Sequence, residues 1–112
     1  MDKEKQEALV TASEYIVNLK LGLKKTAEFF QNYDETKGSA LLYKVIDGLY
    51  WIMDVLVYTK IVSDEEVVEI NDNFKKVVNA FENEDYVLIG DLLFYEVMPI
   101  MDNIEIKINK CI

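Results

Sequence analysis

The chain has 112 residues, 51% hydrophobic and 29% charged, with a formal net charge of −9. That is the balance of one globular domain spanning 1–112, and it argues against a disordered or membrane-spanning chain. All 12 basic residues are lysines, so the sequence lacks both histidine, the usual base and metal ligand at neutral pH, and arginine, whose planar fork grips phosphate or carboxylate with two bonds.

The first element is written in Leu9, Ala12, Ile16, Leu19, Leu23, Thr26 and Phe30. Their steps of three and four make one apolar stripe and predict a helix over roughly 3–33, with Gly38 in DETKGS marking the break. A second helix is expected from Ser39 or Ala40 to Lys60, with Leu42, Val45, Ile46, Leu49, Ile52, Met53 and Leu56 on a broad apolar arc. The stretch IVSDEE then carries a capping-box signature. Ser63 and Glu66 satisfy each other's backbone N–H, and three acids sit where the helix dipole is positive.

The third helix follows with Val67, Ile70, Phe74, Val77 and Phe81 at the same spacing and stops near ENED, where Asn83 or Asp85 caps the next start. A fourth helix is expected from Asp85 to about Lys110, on the stripe Leu93, Val97, Ile100, Met101, Ile104, Ile108 and Cys111. Leu88, Ile89 and Leu92 make its first half apolar on nearly every side, which predicts the most enclosed part of the molecule. Pro99 lies inside this helix, where it removes a ladder hydrogen bond and crowds the carbonyl of Tyr95, so a kink or break is expected there. Cys111, the lone cysteine, is expected as a small apolar residue closing the last turn. Four amphipathic rods with short connections predict an all-α fold, an antiparallel up-down-up-down four-helix bundle.

One face of the second helix does not fit the plain alternation of core and solvent. At about 100° per residue, Tyr43, Asp47, Tyr50, Asp54 and Tyr58 fall within an arc of about 80°, opposite the apolar seam, with Trp51 and Lys44 at its margin. Tyrosine and tryptophan clustered beside charge are typical of interface anchors. The simpler reading is a wet face whose tyrosines lend their bulk to neighbouring seams. The sharper reading makes Tyr43, Asp47, Tyr50, Trp51, Asp54 and Tyr58 a strip that binds a partner helix or a second copy of the chain.

Other chemistry has less behind it. A ferritin-like metal site needs Glu-x-x-His pairs that are impossible here, and no calcium loop or glycine-rich phosphate loop is present. An all-carboxylate magnesium or calcium site from Asp47, Asp54, Asp91 and Glu96 is the remaining metal arrangement, with Asp91 and Glu96 more simply read as partners of Tyr or Lys. Ser39 and Ser63 have no base beside them. No catalytic residue, resident metal or cofactor is expected.

Charge and targeting point the same way. Residues 1–60 hold nine acids and eight lysines, and residues 61–112 hold twelve acids and four, net −1 against −8. Such acidity repels nucleic acid and anionic lipid, so neither is expected as a partner. No apolar run approaches the ~20 residues of a membrane helix, and MDKEKQEALV lacks the basic-then-apolar order of a secretory signal, which predicts a cytoplasmic protein.

The segment FENEDYVLIGDLLFYEVMPIMD, through Asn83, Asp85, Leu88, Asp91, Leu92, Leu93, Tyr95, Glu96 and Pro99, resembles a pattern of small all-helical proteins of spore-forming bacteria. GLYWIMDVL looks similar to the second helix of the same group. The resemblance implies a bacterial helical bundle and brings no activity with it. In size, acidity and helicity the chain is also similar to flagellar export chaperones, which hold an unfolded partner. The expected function is therefore non-catalytic protein binding, chaperone-like or regulatory, with a dimer as one form of it. The alternatives are a bundle whose aromatic residues on helices two and four enclose a small apolar molecule, and a carboxylate-metal enzyme.

Overall fold

A computed structural model describes residues 1–112 as α1 (Lys3–Gln31), α2 (Glu35–Thr59), α3 (Asp64–Glu82), α4 (Tyr86–Leu92) and α5 (Met98–Lys110), with a π-helical turn (Leu93–Val97) joining the last two into one continuous fourth rod. The fold is all-α, four helical rods with no strand. No helix is long and apolar enough to cross a membrane.

Each rod begins on a side-chain cap. Asp2 accepts from the Lys5 N–H at 2.9 Å, Asp34 from Lys37 at 3.2 Å and Asp85 from Leu88 at 3.3 Å. At α3 the Ser63–Glu66 capping box is formed in both directions. The breaks between helices differ from the expectation. α1 ends at Gln31, and Gly38 lies inside α2, which starts four residues earlier than Ser39. The positions that turn the chain are Tyr33 (φ 61°), Lys60 (φ 56°) and Glu84 (φ 53°), none of them glycine.

Two of these turns are the same device. After α1, the Tyr33 N–H bonds to the Phe30 carbonyl at 3.2 Å and the Asp34 N–H to the Phe29 carbonyl at 2.8 Å. After α3, Glu84 bonds to Phe81 at 3.0 Å and Asp85 to Ala80 at 2.9 Å. Both are Schellman closures on an Asn-x-Asp triplet, Asn32–Asp34 and Asn83–Asp85. The final aspartate of each caps the next helix. The left-handed central residue costs about 1–2 kcal/mol, a cost offset by satisfying carbonyls and N–H groups at both helix ends.

The glycines serve a different purpose, since none has positive φ. Gly38 lies under the Phe30 ring, where an added Cβ would meet ring carbons at 3.0–3.1 Å. It is a close-approach residue, which is why it stands within a helix instead of ending one.

All seven residues of the first stripe are buried, and Ala27 joins them. All of these but Thr26 form part of a single cluster of 26 buried hydrophobic residues running the length of the molecule, whose extents are 45 × 25 × 18 Å. α1 lies between α2 and the fourth rod, while α3 closes the ring against α2 and α4. Contacting rods meet start to end: Tyr58 of α2 donates to Glu4 of α1, Gln6 donates to the Cys111 carbonyl at 2.9 Å, Phe30 stacks on Tyr86, and Tyr43 meets Phe81. Lys20 ties α1 to α5 through Asp102 at 2.7 Å and Glu105 at 3.0 Å. Two buried hydroxyls, Thr26 and Thr59, each donate to a carbonyl one turn back, Gly22 and Val55, at 2.7 Å.

The fourth rod runs helical through Pro99, and its irregularity is the π-turn immediately before it, in which the Met98 N–H reaches back to the Leu93 carbonyl. The rod departs from expectation in two ways. Its first half is not enclosed all round, because Val87 and Leu88 face solvent while Ile89, Leu92 and Leu93 are buried. Cys111 is exposed. The last core residue is Ile108, and Cys111 contributes backbone bonds rather than an apolar side chain.

Candidate functional site

The outer face of α2 is built as its periodicity requires. Leu42, Val45, Leu49, Ile52, Met53 and Leu56 are buried, so the residues half a turn away must face out. Asp47 and Asp54 are exposed, and neither takes part in an ion pair or a side-chain hydrogen bond. The aromatic members of the strip behave differently from each other. Tyr43 is 63% exposed, Tyr58 45% and Trp51 38%, while Tyr50 is half-buried.

Each ring is fixed from below by a neighbouring helix. Tyr43 meets Phe81 edge-on at 5.2 Å and Tyr50 meets Phe74 at 5.9 Å, both on α3, whereas Trp51 meets Tyr15 of α1 at 5.1 Å. Tyr58 sits under the Lys5 ammonium at 5.7 Å, and its hydroxyl donates to Glu4 at 3.5 Å. Partial desolvation, with the charges of Glu4 and Asp2 adding to it, pushes its phenol above the ordinary value of 10.0. The six residues are therefore brought together on one face, with the aromatic rings splayed toward both adjoining seams and the two aspartates standing free between them.

Sequence reading missed one member. Val57 is 52% exposed and lies about 40° from Tyr43 on the helical wheel. It extends the face with an apolar surface that has no core to enter. Its signal was present, since it lies only about 20° beyond Tyr50 at the edge of that arc, but it has neither the aromatic ring nor the charge by which the arc was traced.

The carboxylate-metal arrangement does not assemble. No three acidic or cysteine side chains converge to hold an ion. Asp47 and Asp54 are on α2, diagonally across the ring from Asp91 and Glu96, and Glu96 instead faces Lys76 at 3.7 Å. Nor do the aromatic residues of α2 and the fourth rod enclose a common space. Tyr86 stacks on Phe30 at 5.9 Å and Tyr95 points to solvent, 77% exposed, while the α2 rings turn toward α1 and α3.

A family model matches residues 7–107, which take in all four rods and every connection between them. The chain belongs to the family described as Domain of unknown function (DUF8042). No curated protein and no solved structure matches it. The DUF8042 span contains the α2 face, both Asn-x-Asp turns and the π-turn, so these are features of the matched domain and not of its flanks.

Proposed function

We propose that this DUF8042 chain is a non-catalytic interaction module, chaperone-like or regulatory, whose contact with a protein partner or a second copy is the outer face of α2. The observation that carries this reading is the pair of unpaired, exposed aspartates set between aromatic rings that are already held edge-on by α1 and α3. Pre-positioned rings lose little freedom on binding, so their apolar area is converted to affinity efficiently. The two carboxylates select a partner surface carrying lysine or arginine and disfavour polyanions, in line with the net charge of −9. From Tyr43 to Tyr58 the face is about 22 Å long at 1.5 Å per residue, the footprint of a helix of four turns.

Truncating Tyr50 or Trp51 would confuse binding with packing against Phe74 and Tyr15. Charge reversal is the cleaner test. Asp47→Lys combined with Asp54→Lys is expected to leave helicity and the melting temperature within about 2 °C, since exposed, unpaired sites contribute little to stability. The same pair should abolish the discrete adduct formed in the native host by a photoreactive residue placed at Val57. An adduct of equal yield in the reversed variant, or no adduct together with a strictly monomeric chain, would count against the reading.

A further inference from the structure

We propose that the groove between α3 and α5 is a second docking site, on a different side of the bundle from the α2 face, and that its occupant is a basic amphipathic helix of another protein. The groove has a volume of about 500 Å³. Its floor is Val62, Ile70, Ile100 and Ile104, and its walls carry Glu66, Glu69 and Glu96.

It exists because α3 does not close against the second half of the fourth rod. The buried residues of α3 begin only at Ile70 and continue through Phe74, Val77 and Ala80, and α3 packs mainly on α2, α4 and the π-turn. The six residues of α3 before Ile70 add no buried side chain. They are held to α5 chiefly by an ion pair between Glu66 and Lys107 at one end of the groove.

Shape selects a helix over a small molecule. The groove is flanked by two rods, and along the fourth rod from Glu96 to Lys107 it runs about 16 Å, three turns at about 1.5 Å per residue. A small-molecule site covers most of its ligand; this one would cover one face of a rod, the geometry of helix-in-groove recognition.

Charge selects a basic occupant. Lys107 is committed to Glu66, Glu69 makes no ion pair, and Glu96 has only Lys76 at 3.7 Å, too long for a hydrogen bond. The Glu96 Oε2 atom is shielded from solvent and accepts no hydrogen bond. A lysine or arginine entering beside the four apolar floor residues would pair with Glu69 and with the exposed part of the Glu96 carboxylate. Glu96 lies within the π-turn, an irregularity that often marks functional positions.

The full-length chain should be screened against a display library of helix-biased 14-residue peptides. Enriched peptides are expected to carry apolar residues at i, i+4 and i+7 flanked by Lys or Arg. Amide chemical-shift changes on titrating such a peptide should map to Val62, Ile70, Ile100 and Asn103. Affinity should fall at least about tenfold, roughly 1.4 kcal/mol, with Asn103→Trp, which fills the groove from an exposed position, and with Glu69→Lys, which reverses an exposed wall charge. Asp47→Lys with Asp54→Lys should leave it unchanged, so failure of this site and failure of the α2 reading are separately visible. The proposal is overturned by no enrichment, by enriched peptides that are acidic or uncharged, or by equal binding to the two groove variants. It is also overturned if octylamine alone shifts the same amides to the same extent, which would make this a small-amine site, or if the chain self-associates through these residues.

Discussion

A methyl group added at Gly48 would land 2.8 Å from Leu19 Cδ1 and against the Tyr15 hydroxyl, whereas one added at Gly22 meets only Val45 Cγ2 at 3.6 Å. Both glycines are mid-helix, so both substitutions gain up to about 1 kcal/mol of helix propensity. At Gly22 nothing opposes the gain, and Gly22→Ala should stabilise the fold by about 0.5–1 kcal/mol. At Gly48 the buried Leu19 must shift and Tyr15 must leave its edge contact with Trp51. Overpacking of this kind outweighs the gain, and Gly48→Ala should destabilise by about 1–3 kcal/mol. Urea midpoints of the two variants decide it, with opposite signs expected. Neither outcome is visible in sequence, where both residues are simply glycines in a helical pattern.

Among the elements, the π-turn has a signature in the core spacing. The most deeply buried hydrophobic residues of the rod, Ile89, Leu93, Val97, Met101, Ile104 and Ile108, step by four, four, four, three and four. Successive fours drift off one face of an α-helix, and a wider turn realigns them. Removing one residue between Leu93 and Val97 would restore alternating fours and threes. Deleting Tyr95, which points to solvent, should therefore convert the π-turn to regular α-helix and leave the core register intact, with cooperative unfolding preserved. A deletion at exposed Asp102 would instead rotate Ile104 and Ile108 out of the core and unfold the chain. Thermal melts of the two deletions distinguish these cases.

The α3 start carries a pH dependence of its own. A hydrogen bond from Lys107, with the Ser63 N–H assisting against partial desolvation, holds Glu66 below the ordinary value of 4.5. A depressed folded-state pKa contributes stability above 4.5 that is lost as pH falls through the lowered value. Wild type should lose more of its urea resistance than Glu66→Gln between pH 5 and pH 3 if that account holds.

Over the whole molecule the rods are unequally secured. α1 buries eight residues and α2 ten, whereas α3 buries four. α3 also faces the open groove. Local opening follows buried contact, so native-state hydrogen exchange should show the α3 amides opening at lower free energy than those of α1. Uniform protection across all four rods would contradict this. The same asymmetry organises the charge. The half of the chain with net −8 contributes both walls of the groove, and the half with net −1 contributes α1 and α2.

The four rods, the α1 seam, the α3 capping box and the outward placement of Tyr43, Asp47, Asp54 and Tyr58 were all legible in sequence, because each depends on spacing within one helix and on contacts three or four residues apart. The Asn32–Asp34 turn was legible in principle too, as a twin of Asn83–Asp85, but Gly38 drew the break toward itself. What only the tertiary structure decided is how surfaces from different rods meet. Gly38 is needed under Phe30, Tyr50 leans on Phe74 and Trp51 on Tyr15, Glu96 turns to Lys76, and α3 stops short of α5 and leaves a groove. Helical periodicity determines which side of each rod is apolar. The distance between two such sides depends on every side chain that packs between them.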